Sequence, residues 1–330
     1  MRRWRAAGPS RPGNGQVQDN GGRGRRGRVT SRVAALCATV LGAAAMVVGA
    51  GGTAAAAPPG CVSLDVIAIP GTWETSDHGA PAGSPGMLGA VTYNLPSSMR
   101  ADYVPYAATA FPWEGKVYGA SKHEAITNAS NLIGDIAAQC PDTRFALIGY
   151  SQGADAAGDL AAAIGHGDGV IPADKVAAVG LVSDPRRSVF DTLVGPPVVG
   201  NGSGGARIGG FGALGDQVRT FCSPGDLYCA APPGDFMTRM AGYLVQQSDP
   251  GSSEPDRYQP EGVALYDAIM EAGGIPTLGQ QISDVTLWAH VDKYKQFLNS
   301  GIHQDYTTFP VTGDGTSATE WLRSWLISKA

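Results

Sequence analysis

From Cys61 onward, short apolar runs alternate with longer segments in which apolar residues recur at helical spacing. Val62 to Ile69 is the first run, closed by Pro70-Gly71, and Lys116 to Gly119 is a second, shorter candidate strand. Phe145 to Tyr150, Val176 to Val182 and Gln217 to Cys222 complete the strand series. Ser121-Lys122-His123-Glu124 has the form of a capping box and predicts a helix through about Ala138. Ala154 to Ile164 reads as an Ala-rich helix. A second box, Ser317 to Glu320, opens a last helix with Trp321, Leu322, Trp325 and Leu326 on one apolar face. Strands alternating with helices predict an α/β fold: a three-layer α/β/α sandwich around a central, mainly parallel sheet.

Two stretches break this rhythm. Residues 195–216 are rich in glycine without periodicity, which predicts a mobile loop beside the carboxyl edge of the sheet, either an inert connection or a lid. Residues 230–302 form a long insertion with helical pieces at Phe236 to Gln247, Gly262 to Ala272 and Leu287 to Leu298. The residues beyond it are still needed to finish the core, so it reads as a helical cap inserted into one domain spanning 57–330. No internal repeat is evident.

The amino-terminal segment has a different composition. Its first 32 residues hold nine arginines and a single acid, Asp19, among Gly, Pro, Asn and Gln, a mixture that cannot build a core. The apolar run Val33 to Ala50 and the string Ala54 to Ala57 follow. Residues 1–56 therefore read as a basic, disordered start plus an export signal, with cleavage after Ala56. The alternative is an uncleaved membrane anchor, since about 18 apolar residues approach the length that spans a bilayer. Either way the body is expected outside the cytoplasm, secreted or in the cell envelope. Without residues 1–56 the chain keeps 15 basic and 28 acidic residues, a net charge of −13, against −5 for the whole. Such a charge argues against nucleic acid as a partner.

Export makes cysteine pairing reasonable. Cys37 lies in the signal, leaving Cys61, Cys140, Cys222 and Cys229. Four cysteines allow three pairings, and the short gap from Cys222 to Cys229 favours a local bridge, with Cys61 to Cys140 as the remainder. A zinc site is the alternative, disfavoured because paired Cys-x-x-Cys knuckles are missing.

The chemistry centres on Gly149-Tyr150-Ser151-Gln152-Gly153, a G-x-S-x-G pentapeptide between an apolar strand and an Ala-rich helix. A sharp strand-to-helix turn would present the Ser151 hydroxyl at the sheet edge as a nucleophile. Serine needs a base to take its proton and an acid to hold that base in the correct tautomer. The order nucleophile, acid, base leaves His290 and His303 as bases, because His78, His123 and His166 come too early. His303, in a loop just before the last helix, is favoured over His290, which falls in a predicted cap helix. Asp226, inside the Cys222 to Cys229 ring, is favoured as the acid over Asp184, which precedes a proline. The backbone N–H of Gln152 and a group from the loop after the first strand, with Thr72 as candidate, would form the oxyanion hole.

Together these features resemble the cutinase family of secreted serine esterases. The likeness rests on the Cys61 to Cys140 spacing with Gly-Tyr-Ser-Gln-Gly after it, the Cys-x-x-Gly-Asp-x-x-Cys ring, and His303-Gln-Asp-Tyr306. It covers roughly Cys61 to Cys229 and Ile302 to Leu326. The resemblance implies an α/β-hydrolase fold, a Ser151, Asp226, His303 triad, an oxyanion hole at Gln152 and Thr72, and neither metal nor cofactor. It also implies a lipid or acyl-ester substrate; association with the cell envelope or a membrane surface and a monomeric state are expectations beside it. The 73 residues between Cys229 and His303 depart from a compact cutinase. The insertion and the Gly-Thr-Trp-Glu-Thr loop look more like the actinobacterial cell-envelope branch, which acts as lipases, phospholipases or thioesterases on long acyl chains. Two other readings remain at this point: an acyltransferase using the same triad on envelope lipids or sugars, and a non-catalytic lipid-binding envelope protein.

Overall fold

The computed structural model describes residues 60–76, 85–248, 255–271, 273–281 and 283–330, all within one compact unit, Ala55–Ala330. The basic start and the signal or anchor expected over 1–56 lie outside the described residues. No helix among the described residues is long and apolar enough to cross a membrane.

The elements in chain order are β1 (Leu64–Ile69), α1 (Gly89–Thr92), β2 (Met99–Tyr103), α2 (Tyr118–Gln139), β3 (Arg144–Tyr150), α3 (Gln152–His166), β4 (Val176–Val182) and β5 (Val218–Phe221). Among the described residues of the inserted segment lie α4 (Phe236–Gln246), α5 (Pro255–Glu271), α6 (Gly274–Gln281) and α7 (Asp284–Ser300). α8 (Ala318–Ile327) ends the chain. The sheet is wholly parallel, in the order β2-β1-β3-β4-β5. Because the chain runs outward in opposite directions from β1 and from β3, the crevice at their carboxyl ends is a topological switch point, where ligands bind in open α/β sheets.

Strand alternation builds the two apolar layers. Ile67 and Ile69 of β1, with Phe145 and Leu147 of β3, pack on Ala125, Ala129 and Ile133 of α2 and on Leu160 and Ile164 of α3. Val66 and Ala68, with Ala146 and Ile148, face the opposite way toward Leu88 and Val91 near α1 and Leu322 and Leu326 of α8. Burial on both faces is why β1, apart from Asp65, and β3, after Arg144, are apolar runs. α8 starts as the sequence predicts: Ser317 accepts from Glu320 N, and the Glu320 carboxylate accepts from Ser317 N.

Four expectations are corrected. Lys116 to Gly119 is not a strand: Lys116 and Val117 lead into α2, and Tyr118 and Gly119 are its first residues; the remaining strand is Met99–Tyr103. As an edge strand it is only half buried, so Arg100 and Asp102 interrupt any apolar run, and Arg100 bonds Asp102 at 2.7 Å. Ser121 and Glu124 do not cap α2, whose N-cap is Val117. Ser121 instead accepts Thr109 N at 3.1 Å, and Glu124 accepts Ala107 N at 2.8 Å and Lys116 Nζ at 2.6 Å, so the box residues tie down the preceding loop. The 195–216 stretch is irregular, but it is tied to the core through Arg207 rather than hanging free. That buried guanidinium pairs with Asp184 and with Asp159 at 2.9 Å, and the stretch ends in a 3-10 segment, Gly212–Gln217. In the insertion α5 begins at Pro255 rather than Gly262, and α6 is an element that the sequence pattern does not announce.

Candidate active site

Ser151 directly follows β3 and precedes the first residue of α3, with φ 54° and ψ −120°. A non-glycine residue in this region carries strain of about 1–3 kcal/mol, tolerated when its surroundings over-determine the turn. Here they do: Ser151 N donates to Val182 O at 2.9 Å, and Asp155 N closes onto Ser151 O at 3.0 Å. The flanking glycines make the crossing possible. A Cβ at Gly149 would meet Gly153 O at 2.2 Å, and one at Gly153 would meet Ile69 O at 2.0 Å. Any side chain at either place would push strand and helix apart.

His303 sits in a 3-10 turn, Ile302–Gln304, after α7. Its Nε2 lies 2.9 Å from Ser151 Oγ, and its Nδ1 lies 2.9 Å from Asp226 Oδ2. Rings surround the imidazole: Tyr150 stacks on it with centroids 5.2 Å apart, Tyr228 approaches to 4.6 Å, and Phe297 of α7 stands 6.4 Å away. Tyr150 also donates its hydroxyl to His303 O at 2.8 Å.

Asp226 is fully buried in the loop after β5, between Cys222 and Cys229, which form a disulfide. Its Oδ1 accepts Tyr228 N at 3.0 Å; its Oδ2 takes Ser183 Oγ–H at 2.5 Å and Tyr306 Oη–H at 2.8 Å besides His303. Burial pushes this carboxyl up, but the bonds from His303, Ser183 and Tyr306 outweigh it and hold Asp226 below the usual carboxylate range. Cys61 and Cys140 form the other disulfide, fastening the start of β1 to the end of α2.

Gln152, as the first residue of α3, has a backbone N–H outside the intrahelical ladder. Its side chain is buried and donates to Thr109 O at 3.0 Å and Tyr118 O at 3.3 Å. Thr72 lies in the loop after β1, with Oγ1 3.5 Å from Gln152 Oε1. Glu74 braces that loop by accepting Gly71 N at 2.9 Å and Met87 N at 2.8 Å. Burial raises the Glu74 carboxyl against these two bonds and the nearby His303.

The structure thus brings Ser151, His303, Asp226, Gln152 and Thr72 to one crevice and keeps the rival residues out of it. Asp184 is buried against Arg207, and His290 lies 3.6 Å from Asp235 in the inserted segment. His123 lies on α2 and His166 is the last residue of α3; His78 is outside the described residues. The sequence reading passed over Ser183, Tyr306 and Glu74. Ser183 directly follows an apolar strand, as Ser151 does, and Tyr306 closes the His303-Gln-Asp-Tyr motif; these were the available signals.

The model of the cutinase family matches residues 60–251. The chain is 34% identical over 208 residues to a protein named carboxylesterase Culp6 homolog of Corynebacterium glutamicum, the match covering 53% of this chain and 67% of that relative. It is 27% identical over 222 residues to a cutinase of Kineococcus radiotolerans, covering 66% of this chain and 65% of the relative. The chain therefore spans about two thirds of the length of either bacterial relative. The solved catalytic core domain of acetyl xylan esterase from Trichoderma reesei aligns over 57% of this chain and 96% of its own, at 20% identity and a TM-score of 0.42.

Proposed function

Because this chain belongs to the cutinase family of carboxylic ester hydrolases, we propose that it is an exported esterase that cleaves lipid or other acyl esters through an acyl-enzyme on Ser151. The observation that carries this reading is the bridge made by one imidazole, 2.9 Å from Ser151 Oγ on one side and 2.9 Å from Asp226 Oδ2 on the other. In this reading the Asp226 carboxylate holds the Nδ1–H tautomer, leaving the Nε2 lone pair aimed at the serine hydroxyl.

Ser151 Oγ attacks the ester carbonyl while its proton passes to His303 Nε2. The carbonyl oxygen becomes an oxyanion, taken by the Gln152 N–H and by Thr72. Collapse of the tetrahedral adduct breaks the bond to the alcohol oxygen, which leaves with the proton from Nε2. Water then attacks the acyl-enzyme and gives a proton to His303; the bond to Oγ breaks, releasing the acid and restoring the serine hydroxyl.

The α4–α7 segment acts as a cap on acyl access, and the substrate is a long-chain ester of the cell envelope. Phe297 of α7 supports this, since it stands in the ring cluster around His303. The disulfides among the described residues and the basic, then apolar, start of the sequence support an exported protein.

The test is hydrolysis of p-nitrophenyl esters of increasing acyl length by the purified protein, beside Ser151→Ala and His303→Ala. The expected result is turnover that both substitutions abolish. A folded protein with no turnover and no phosphonate labelling of Ser151 would overturn the reading in favour of a non-catalytic binder.

A further inference from the structure

Ser183 is the first residue beyond β4, fully buried, with φ 52°. It repeats, one strand over, the arrangement of Ser151: Ser151 N donates to Val182 O at 2.9 Å, and Ser183 N donates to Phe221 O at 2.8 Å. The result is a second serine side chain at the carboxyl edge of the sheet, directed at the other end of the imidazole. Its Oγ lies 2.5 Å from Asp226 Oδ2 and 3.0 Å from His303 Nδ1.

Proton counting fixes the roles. Asp226 is an acceptor, so the one Ser183 hydroxyl proton goes to Oδ2, and the Ser183 oxygen is left with lone pairs for Nδ1. Nδ1 must then carry the hydrogen, shared between Asp226 Oδ2 at 2.9 Å and Ser183 Oγ at 3.0 Å. The acceptor pair holds the ring in the tautomer that leaves Nε2 free to take a proton. Meanwhile the Ser183 O–H occupies part of the carboxylate charge that would otherwise act on the imidazolium.

On this basis, and resting on the triad proposed above, we infer that Ser183 is a positioning residue of the ester-cleaving reaction, locking the His303 tautomer and limiting how strongly Asp226 stabilises the imidazolium. The other titratable groups facing the ring are Glu74 across the crevice, Tyr150 stacked on it, Tyr228 beside it, and Tyr306 on the far side of Asp226. Among the described residues, the groups bonded to Nδ1 are Asp226 and Ser183.

The experiment uses the full chain with Ser183→Ala and Ser183→Gly, the latter free of the positive-φ strain and so the safeguard against a folding loss. Both should lower kcat about 10-fold with KM within about twofold, as loss of a group acting on general-base geometry does. The acidic limb of kcat/KM should move up by about half a pH unit, because the undiluted Asp226 charge favours imidazolium. In an Asp226→Asn background, Ser183→Ala should cost less than about twofold, since its partner is already altered. An unmoved limb together with an undiminished loss in the Asp226→Asn background would overturn the inference and leave Ser183 a packing residue. Full activity in His303→Ala would instead overturn the triad itself, so the two failures are distinct.

Discussion

Lys122 Nζ meets Gln246 Oε1 at 2.5 Å, so a core helix and the first helix of the inserted segment share one buried cation. Lys122 also reaches Asp159 at 3.0 Å and Asp155 at 3.3 Å, while the Gln246 amide donates to Asp155. Asp155 in turn accepts Tyr118 Oη–H at 2.9 Å, and Tyr118 O receives the Gln152 side chain. The Gln246 amide therefore connects α4 to α2 and to α3, the helix that follows the nucleophile.

Gln246→Ala deprives a buried ammonium and a buried carboxylate of a partner each. Bonds to charged groups contribute about 1.5–3 kcal/mol, so unfolding in guanidinium should show a loss of about 2 kcal/mol. Lys122→Met should cost more, about 3–5 kcal/mol, because it strands Asp155 and Asp159 with less compensating charge. Equal and negligible losses would mean that the cluster is solvated.

Asp65 gives a pH dependence of opposite sign to the usual carboxylate. It is buried on β1, and burial, with Asp102 adding and Arg100 opposing, raises its carboxyl to about 6. A raised folded value means that its contribution is fully present below about 3.8 and is lost as pH rises through about 6. Asp65→Asn should therefore gain stability relative to the native protein as pH goes from 4 to 7. The lost pair with half-exposed Arg100 offsets little of this. Thermal unfolding across that range checks the slope, and a difference independent of pH would refute it.

The two disulfides should separate stability from activity. In the chain-entropy model, closing the Cys61 to Cys140 loop contributes about 4.5 kcal/mol and closing Cys222 to Cys229 about 2.5 kcal/mol. Removing the first pair with serines should cost more stability and leave turnover of the folded protein intact. Removing the second should cost less stability yet reduce kcat, because Asp226 takes its position from that ring. Denaturant midpoints and kcat measured on the same samples distinguish the two.

The legible parts of this molecule are those set by local chemistry. Gly149-Tyr-Ser-Gln-Gly153 can be read because two glycines are required where strand and helix nearly touch, and Asp226 because a short cysteine ring isolates it. The β4 boundaries match because a strand buried on both faces must be apolar throughout. β2 was missed for the converse reason: an edge strand needs no apolar run, and Met-Arg-Ala-Asp-Tyr has none. The Ser121 box misled because a capping pattern records residue types, whereas those side chains bond a loop that only the folded chain brings near. Ser183 has only the weak signal of following an apolar strand, because its meaning arises from the adjacency of β4 and β5 and from a histidine 120 residues later.

Phe297 tests whether the inserted helices govern access. It is buried on α7, packs edge-on against Tyr228 with centroids 5.2 Å apart, and faces the His303 ring, so it belongs to the wall of the crevice without bonding any reacting atom. Phe297→Ala should widen that wall, and the cavity should cost about 3–5 kcal/mol of stability. If the wall contacts the acyl chain, kcat/KM for long-chain p-nitrophenyl esters should fall by about 10-fold or more, since each buried methylene contributes about 0.8 kcal/mol. Labelling of Ser151 by a small phosphonate, which needs only the nucleophile and its base, should change less than about twofold. Parallel losses in both would mean that Phe297 supports His303 rather than the substrate. The result would then move the acyl site away from α7 and leave the Ser151 chemistry as proposed.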